Sequence, residues 1–220
     1  MRRPSKRQIG ACALVLALAL HGGLARGNPA DLLAETLAPL QTLNARFLQE
    51  TRSSAGDTSD TSRGQLWLSR PDSFRIEIEG DYPESIVSDG ESWWVYESDL
   101  MQVVVRDLAE YADQIPVLVL TSRPELLFER YDIDYYDADE GRRTFVLTPR
   151  DGGQMYASIS MEFESAEPRG LEVRSQVGET TRIRFASVEV NPKFADGTFT
   201  FDAPAGVDVI DERGNPPAGE

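Results

Sequence analysis

Most of this chain alternates apolar and polar residues with a period of two, and little of it has the period of a helix. Leu43, Ala45 and Phe47 alternate with polar neighbours, as do Leu66 and Leu68, then Phe74, Ile76 and Ile78 after the break at Arg70-Pro71-Asp72-Ser73. Such alternation places every second side chain on one face of a strand. Residues 86–96 read as a hairpin about Asp89-Gly90, and a turn near Ser98-Asp99 leads into 102–105. Further strands are expected at 143–148, 155–164, 170–176, 180–190 and 198–202. In 180–190 the apolar positions slip from Ile183 and Phe185 to Val188 and Val190, which predicts a bulge near Ala186-Ser187. The polar stretch 52–64 reads as a loop and the Gly/Pro-rich tail 211–220 as a frayed end.

Two segments break the pattern. Asn28, Pro29 and Asp31 form a helix start, with Leu33, Leu37 and Leu40 on one stripe and Pro39 as the stop. Within 106–130, residues 107–112 and 124–128 have helical spacing and flank Ile115-Pro116-Val117-Leu118-Val119-Leu120, apolar at nearly every position. A sheet of roughly ten antiparallel strands must curl, and its concave face needs a plug. The two helical segments are the available plug. The expected fold is therefore mainly β with helices (α+β), a single curled antiparallel sheet forming an unclosed half-barrel.

The chain also begins like an exported protein. Arg2, Arg3, Lys6 and Arg7 precede an apolar run of 12 residues at 9–20, whereas a membrane span needs roughly 20. Ala25 and Gly27 place small residues where cleavage after Gly27 requires them, with cleavage after Ala25 as the alternative. Ile9-Gly10-Ala11-Cys12 has the look of a lipid-anchor signal, but the apolar run follows Cys12 instead of preceding it. The expected organisation is a cleaved leader, 1–27, and a single domain, 28–220, in the periplasm.

Cleavage would remove Cys12 and His21, the only cysteine and the only histidine. That excludes disulfides, Cys/His zinc sites, a cysteine nucleophile and a serine–histidine triad. Carboxylate-only catalysis and a carboxylate calcium site stay open, although no D-x-D-x-D-G loop supports the latter; no metal, no cofactor and no enzymatic constellation is expected. The leader takes five positive charges with it, leaving 17 against 37 negative, a net charge of −20. Nucleic acid does not suit such a surface, and anionic headgroups repel it.

Five stretches in order resemble one family: Phe47-Leu48-Gln49; Gly64-Gln65-Leu66-Trp67-Leu68-Ser69-Arg70-Pro71-Asp72-Ser73-Phe74-Arg75; Ser88-Asp89-Gly90; Leu100-Met101-Gln102-Val103; and 199–210 (FTFDAPAGVDVI). Together they resemble the outer-membrane lipoprotein carrier (LolA-type) proteins. The resemblance implies an unclosed barrel with an apolar interior under a helical lid. It also implies acylated lipoproteins as cargo, an inner-membrane lipoprotein-releasing ABC transporter as donor, an outer-membrane lipoprotein acceptor, and a monomer. The implied lipid contacts are Leu37, Phe74, Ile76, Val117, Leu118, Val119 and Leu120, and Arg70 matches the lid-latching arginine. Ile76 departs from the tryptophan common there, and Val117-Leu118 are smaller than usual, which puts ligand preference in doubt. A related carrier of another lipid stays open, as does a lipoprotein-sensing module, although sensing relatives carry a second domain. The exported form is expected to begin at Asn28 without an acyl group. Intact mass of periplasmic protein checks this, and a diacylglyceryl adduct on Cys12 would contradict it.

Overall fold

The computed structural model describes residues 27–138, 141–151 and 155–214. The expected leader before Gly27, with Cys12 and His21, lies outside the described residues, as does the tail from residue 215. The chain opens with α1 (Pro29–Leu37), capped by the Asn28 side chain, which accepts from the Ala30 N–H at 3.2 Å. Leu33 and Leu37 are fully buried. The stripe read from the sequence is thus the buried face.

Twelve strands follow: β1 (Thr42–Arg52), β2 (Thr58–Ser69), β3 (Ser73–Glu79), β4 (Glu84–Ser88), β5 (Ser92–Glu97), β6 (Gln102–Asp107), β7 (Tyr131–Ala138), β8 (Arg142–Pro149), β9 (Tyr156–Glu164), β10 (Glu167–Ser175), β11 (Thr180–Val190) and β12 (Asp208–Asp211). They form one sheet in the order β12-β6-β5-β4-β3-β2-β1-β11-β10-β9-β8-β7, with β12 and β7 as its edges. The half-barrel is therefore unclosed. Its neighbours are antiparallel except β12, which lies parallel to β6, so the sheet is mixed. Between β6 and β7 the chain leaves the sheet through α2 (Leu108–Tyr111), two 3₁₀ turns (Ala112–Gln114 and Pro116–Leu120) and α3 (Pro124–Arg130).

Several local expectations change. The stretch 52–64 is mostly strand: Glu50 faces Thr61 and Thr51 faces Asp60 in the β1–β2 ladder. Its threonines are β-branched, and pairing with β1 overrides their polarity. The segment 198–202 is not a strand. Hydroxyls of Thr198 and Thr200 fold it into turns by donating to the Ala195 and Gly197 carbonyls, and Phe201 packs on Trp94 and Tyr96 outside the sheet. The described part of the tail is tied down, since 208–211 is β12 and the Gly214 N–H donates to Asp107 Oδ2 at 2.9 Å. β7 was not anticipated. Its alternation of Tyr131, Ile133 and Tyr135 with Asp132 and Asp134 is short and follows α3 without a turn between them, and as an edge strand it keeps most of its residues exposed. The expected bulge is present: Asn44 faces Glu189 but Arg46 faces Ala186, and Ser187 between them has φ 51°.

The concave side holds the core. Leu43, Leu68, Phe74, Phe145, Leu147 and Met161 are fully buried there. Gly64 shows how closely β1, β2 and β3 approach. A Cβ at this position would lie 1.9 Å from the Glu77 carbonyl oxygen and 2.9 Å from Phe47 Cε1. Backbone cannot move aside as a flexible side chain can, so Gly64→Ala is expected to lower stability by about 1–3 kcal/mol. Thermal unfolding of the two proteins checks this, and an unchanged melting temperature would contradict the strand spacing.

Candidate functional site: a concave face closed by a clasped segment

Segment 108–130 covers the concave face. Val117, Leu118, Val119 and Leu120 are each at most 6% exposed and join the cluster formed by the sheet and α1. A run apolar at nearly every position is the sequence expression of this placement: a 3₁₀ turn eclipses residues three apart, so a sheltered turn needs no polar face.

Hydrogen bonds to backbone carbonyls clasp this cover at two places. Arg70 follows the end of β2, and its own N–H donates to the Gln41 carbonyl at 3.0 Å, fixing the base of the side chain. Its Nε donates to Leu40 O at 2.5 Å, just past α1, and its Nη2 to Leu37 O at 3.1 Å, the last residue of α1. Its Nη1 donates to Ser122 O at 3.0 Å and its Nη2 to Leu120 O at 3.3 Å, both in the cover. One planar fork thus joins α1, the sheet and the cover. Lysine, a point charge with three donors, lacks that geometry. On the opposite side Tyr156 of β9 donates its hydroxyl to Gln114 O at 2.6 Å. Burial, with Tyr131 beside it, pushes the Tyr156 phenol up to about 12, so it remains a donor.

Burial dominates the electrostatics around the fork. Burial pushes the Arg70 guanidinium down from its ordinary value, while Asp72 and Glu125 raise it. Asp72 has φ 62° and is pushed above the usual carboxylate range by burial, with Arg123 and Arg70 pulling it back. An arginine stays charged under such a shift, so all four bonds are charge-assisted bonds to neutral acceptors.

Under the cover lies a cavity of about 250 Å³, lined among others by Leu118, Val119, Leu108, Ile115, Leu127 and Ile159. Asp72 reaches the same cavity. Of the residues the sequence singled out, Leu118 and Val119 line this space. Leu37, Phe74, Val117 and Leu120 pack in the surrounding core, and Ile76 is half-buried against it. Leu108, Leu127 and Ile159 were missed as cavity residues. Each carries an ordinary core signature in sequence, so spacing alone does not separate wall from filling. No group of three or more His, Cys, Asp or Glu side chains positioned for a metal occurs among the described residues. No helix among them is long and apolar enough to cross a membrane.

An open sheet whose apolar face is closed by clasped helical turns defines a class of lidded half-barrels. Residues 38–202 match the family described as outer membrane lipoprotein carrier protein LolA. An outer-membrane lipoprotein carrier protein of Chromohalobacter salexigens is 34% identical over 204 residues, covering 93% of this chain and 96% of that protein. One of Pseudomonas aeruginosa is 34% identical over 203 residues, covering 90% and 96%. Among solved structures, an uncharacterized conserved protein from Thermus thermophilus is similar in fold, with a TM-score of 0.51 at 11% identity, covering 83% of this chain and 96% of that one. The chain belongs to the outer-membrane lipoprotein carrier (LolA) family.

Proposed function

We propose that this chain is a periplasmic, non-enzymatic carrier of acylated lipoproteins. It receives them from an inner-membrane lipoprotein-releasing ABC transporter, holds their acyl chains in the half-barrel and yields them to an outer-membrane acceptor, acting as a monomer. The leader 1–27 directs export and is removed. The observation that carries this reading is an apolar concave face covered by a segment that side-chain hydrogen bonds clasp from either side.

Magnitudes favour exchange between cover and cargo. Each buried CH₂ contributes about 0.8 kcal/mol, so a 16-carbon chain represents on the order of 10 kcal/mol of affinity for an apolar interior. Burying the four side chains 117–120 contributes about 6–12 kcal/mol by the same reasoning. Two terms of similar size let one replace the other without a large net driving force. With the cover seated, the cavity of about 250 Å³ is smaller than the roughly 300–1,000 Å³ typical of ligand pockets. Cargo therefore enters only as the cover moves. It then meets Leu37, Phe74 and Ile76 on the side of α1 and the sheet, and Val117, Leu118, Val119 and Leu120 on the cover.

Arg70 is the latch in this scheme. Whatever stabilises the closed empty form lowers apparent cargo affinity by the same free energy. Hydrogen bonds from a charged donor contribute roughly 1.5–3 kcal/mol, so Arg70→Leu is expected to tighten binding of a fluorescent acyl probe about ten- to hundredfold. The gain should appear mostly as slower release. Because the acceptors are neutral carbonyls, the effect should persist at high salt, whereas a surface ion pair would contribute less than about 1 kcal/mol and fade with salt. Stopped-flow release from wild type and Arg70→Leu at low and high salt checks this. Equal off-rates would remove Arg70 from the mechanism and leave the apolar cavity.

A further inference from the structure

Trp93 contains the one side-chain polar atom, among the described residues, that is buried without a hydrogen-bond partner: its indole Nε1. An indole N–H can only donate. A buried donor without an acceptor bears its full desolvation cost, and native structures retain few such groups. The surroundings supply no acceptor to it. Across the ladder, Trp93 faces Ser88 of β4 and Arg106 of β6. The Ser88 hydroxyl already donates to Ser92 O and accepts from the Gly90 N–H. The Tyr111 ring of α2 packs on Trp93 at 5.9 Å between centroids, and the Arg106 guanidinium lies 5.7 Å from the Trp93 ring and 5.2 Å from the Tyr111 ring. Arg106 is itself held by Nε donating to Glu212 Oε2 at 2.7 Å.

This corner sits where the sheet passes into the cover. β6 ends at Asp107 and α2 begins at Leu108, which lines the cavity. Tyr111 belongs to α2 at the start of the cover, so a movement of the cover would take its ring off the indole and leave the indole N–H to whatever enters. Methylene groups offer it nothing. The head of an acyl chain offers one strong acceptor, the ester or amide carbonyl oxygen.

We propose that the Trp93 indole N–H is the binding site for the acyl carbonyl of the cargo, with Tyr111 as the aromatic group that covers it in the empty form. The assignment rests on the carrier reading and deepens it: it fixes which end of the acyl chain lies by the start of the cover. It also makes closure over an empty site costly by one unmet donor, which opposes the Arg70 clasp.

The test compares two lipids of matched length, 1-monopalmitoylglycerol (an ester) and 1-O-hexadecylglycerol (an ether without a carbonyl), as competitors of bound 1-aminoanthracene. Wild type is expected to prefer the ester about three- to tenfold, the strength of one hydrogen bond. Trp93→Phe keeps an aromatic ring and removes the donor, so it should bind both lipids equally, near the wild-type affinity for the ether. In ¹H–¹⁵N spectra of wild type, the indole cross-peak missing from Trp93→Phe should move with either lipid as Tyr111 leaves it, and further downfield with the ester, whose carbonyl accepts from the N–H, than with the ether. Equal binding of both lipids by wild type, or an ester preference surviving in Trp93→Phe, would overturn the assignment and leave the carrier reading intact. Failure of either lipid to displace the probe would remove the carrier reading, and this proposal with it.

Discussion

A sheet that curls without closing has an apolar face it cannot leave in water. In this chain the obligation is met by segment 108–130, inserted between β6 and β7, and by α1 at the N-terminal end. Burying Val117 to Leu120 supplies the apolar part of that closure. It has no directional component, so it does not by itself fix where the segment sits. Position comes from Arg70 and Tyr156, whose donors reach backbone carbonyls of the segment from the two sides. A core filled by a connecting segment, and located by a few hydrogen bonds, is a core that can be exchanged for something else.

The choice of carbonyls as acceptors has a physical consequence. A carboxylate partner would make the Arg70 contact an ion pair, strong at low salt and weak at high salt. Four neutral oxygens at 2.5–3.3 Å make it nearly indifferent to ionic strength. The acidic residues of this very acidic chain are kept one step away. Asp72 and Glu125 act on Arg70 through space, and burial holds the Asp72 carboxyl above its usual range. Ion pairs such as Arg46–Glu79 and Arg63–Glu79 lie instead on exposed positions of the sheet.

How much of this was legible in the sequence depends on the length scale of each signal. The half-barrel followed from period-two alternation, and the need for a plug followed from strand number, because both are properties of long stretches. The apolar run 115–120 marked the cover because no exposed segment tolerates such composition. β7 escaped because its alternation, Tyr131, Ile133 and Tyr135 against Asp132 and Asp134, is short and follows α3 without a turn signal to separate them. The parallel pairing of β12 on β6 joins residues about a hundred positions apart, and no local pattern records it. Phe199 and Phe201 looked like strand positions because aromatic alternation is the same whether the ring faces the core or, as with Phe201, the outer surface of β5. In the cavity, Leu118 was named and Leu127 was not, since both are simply buried leucines in sequence.

The central claim is that segment 108–130 gives way to an acyl chain while the sheet remains intact. Hydrogen–deuterium exchange of residues 28–220, empty and loaded with a lipoprotein bearing its native acyl groups, tests it directly. Amides of 115–122 should lose protection on loading, while those of β1, β2 and β11, paired along their length, keep theirs. Protection of 115–122 that is unchanged or increased on loading would show that the cover stays seated and that cargo binds elsewhere.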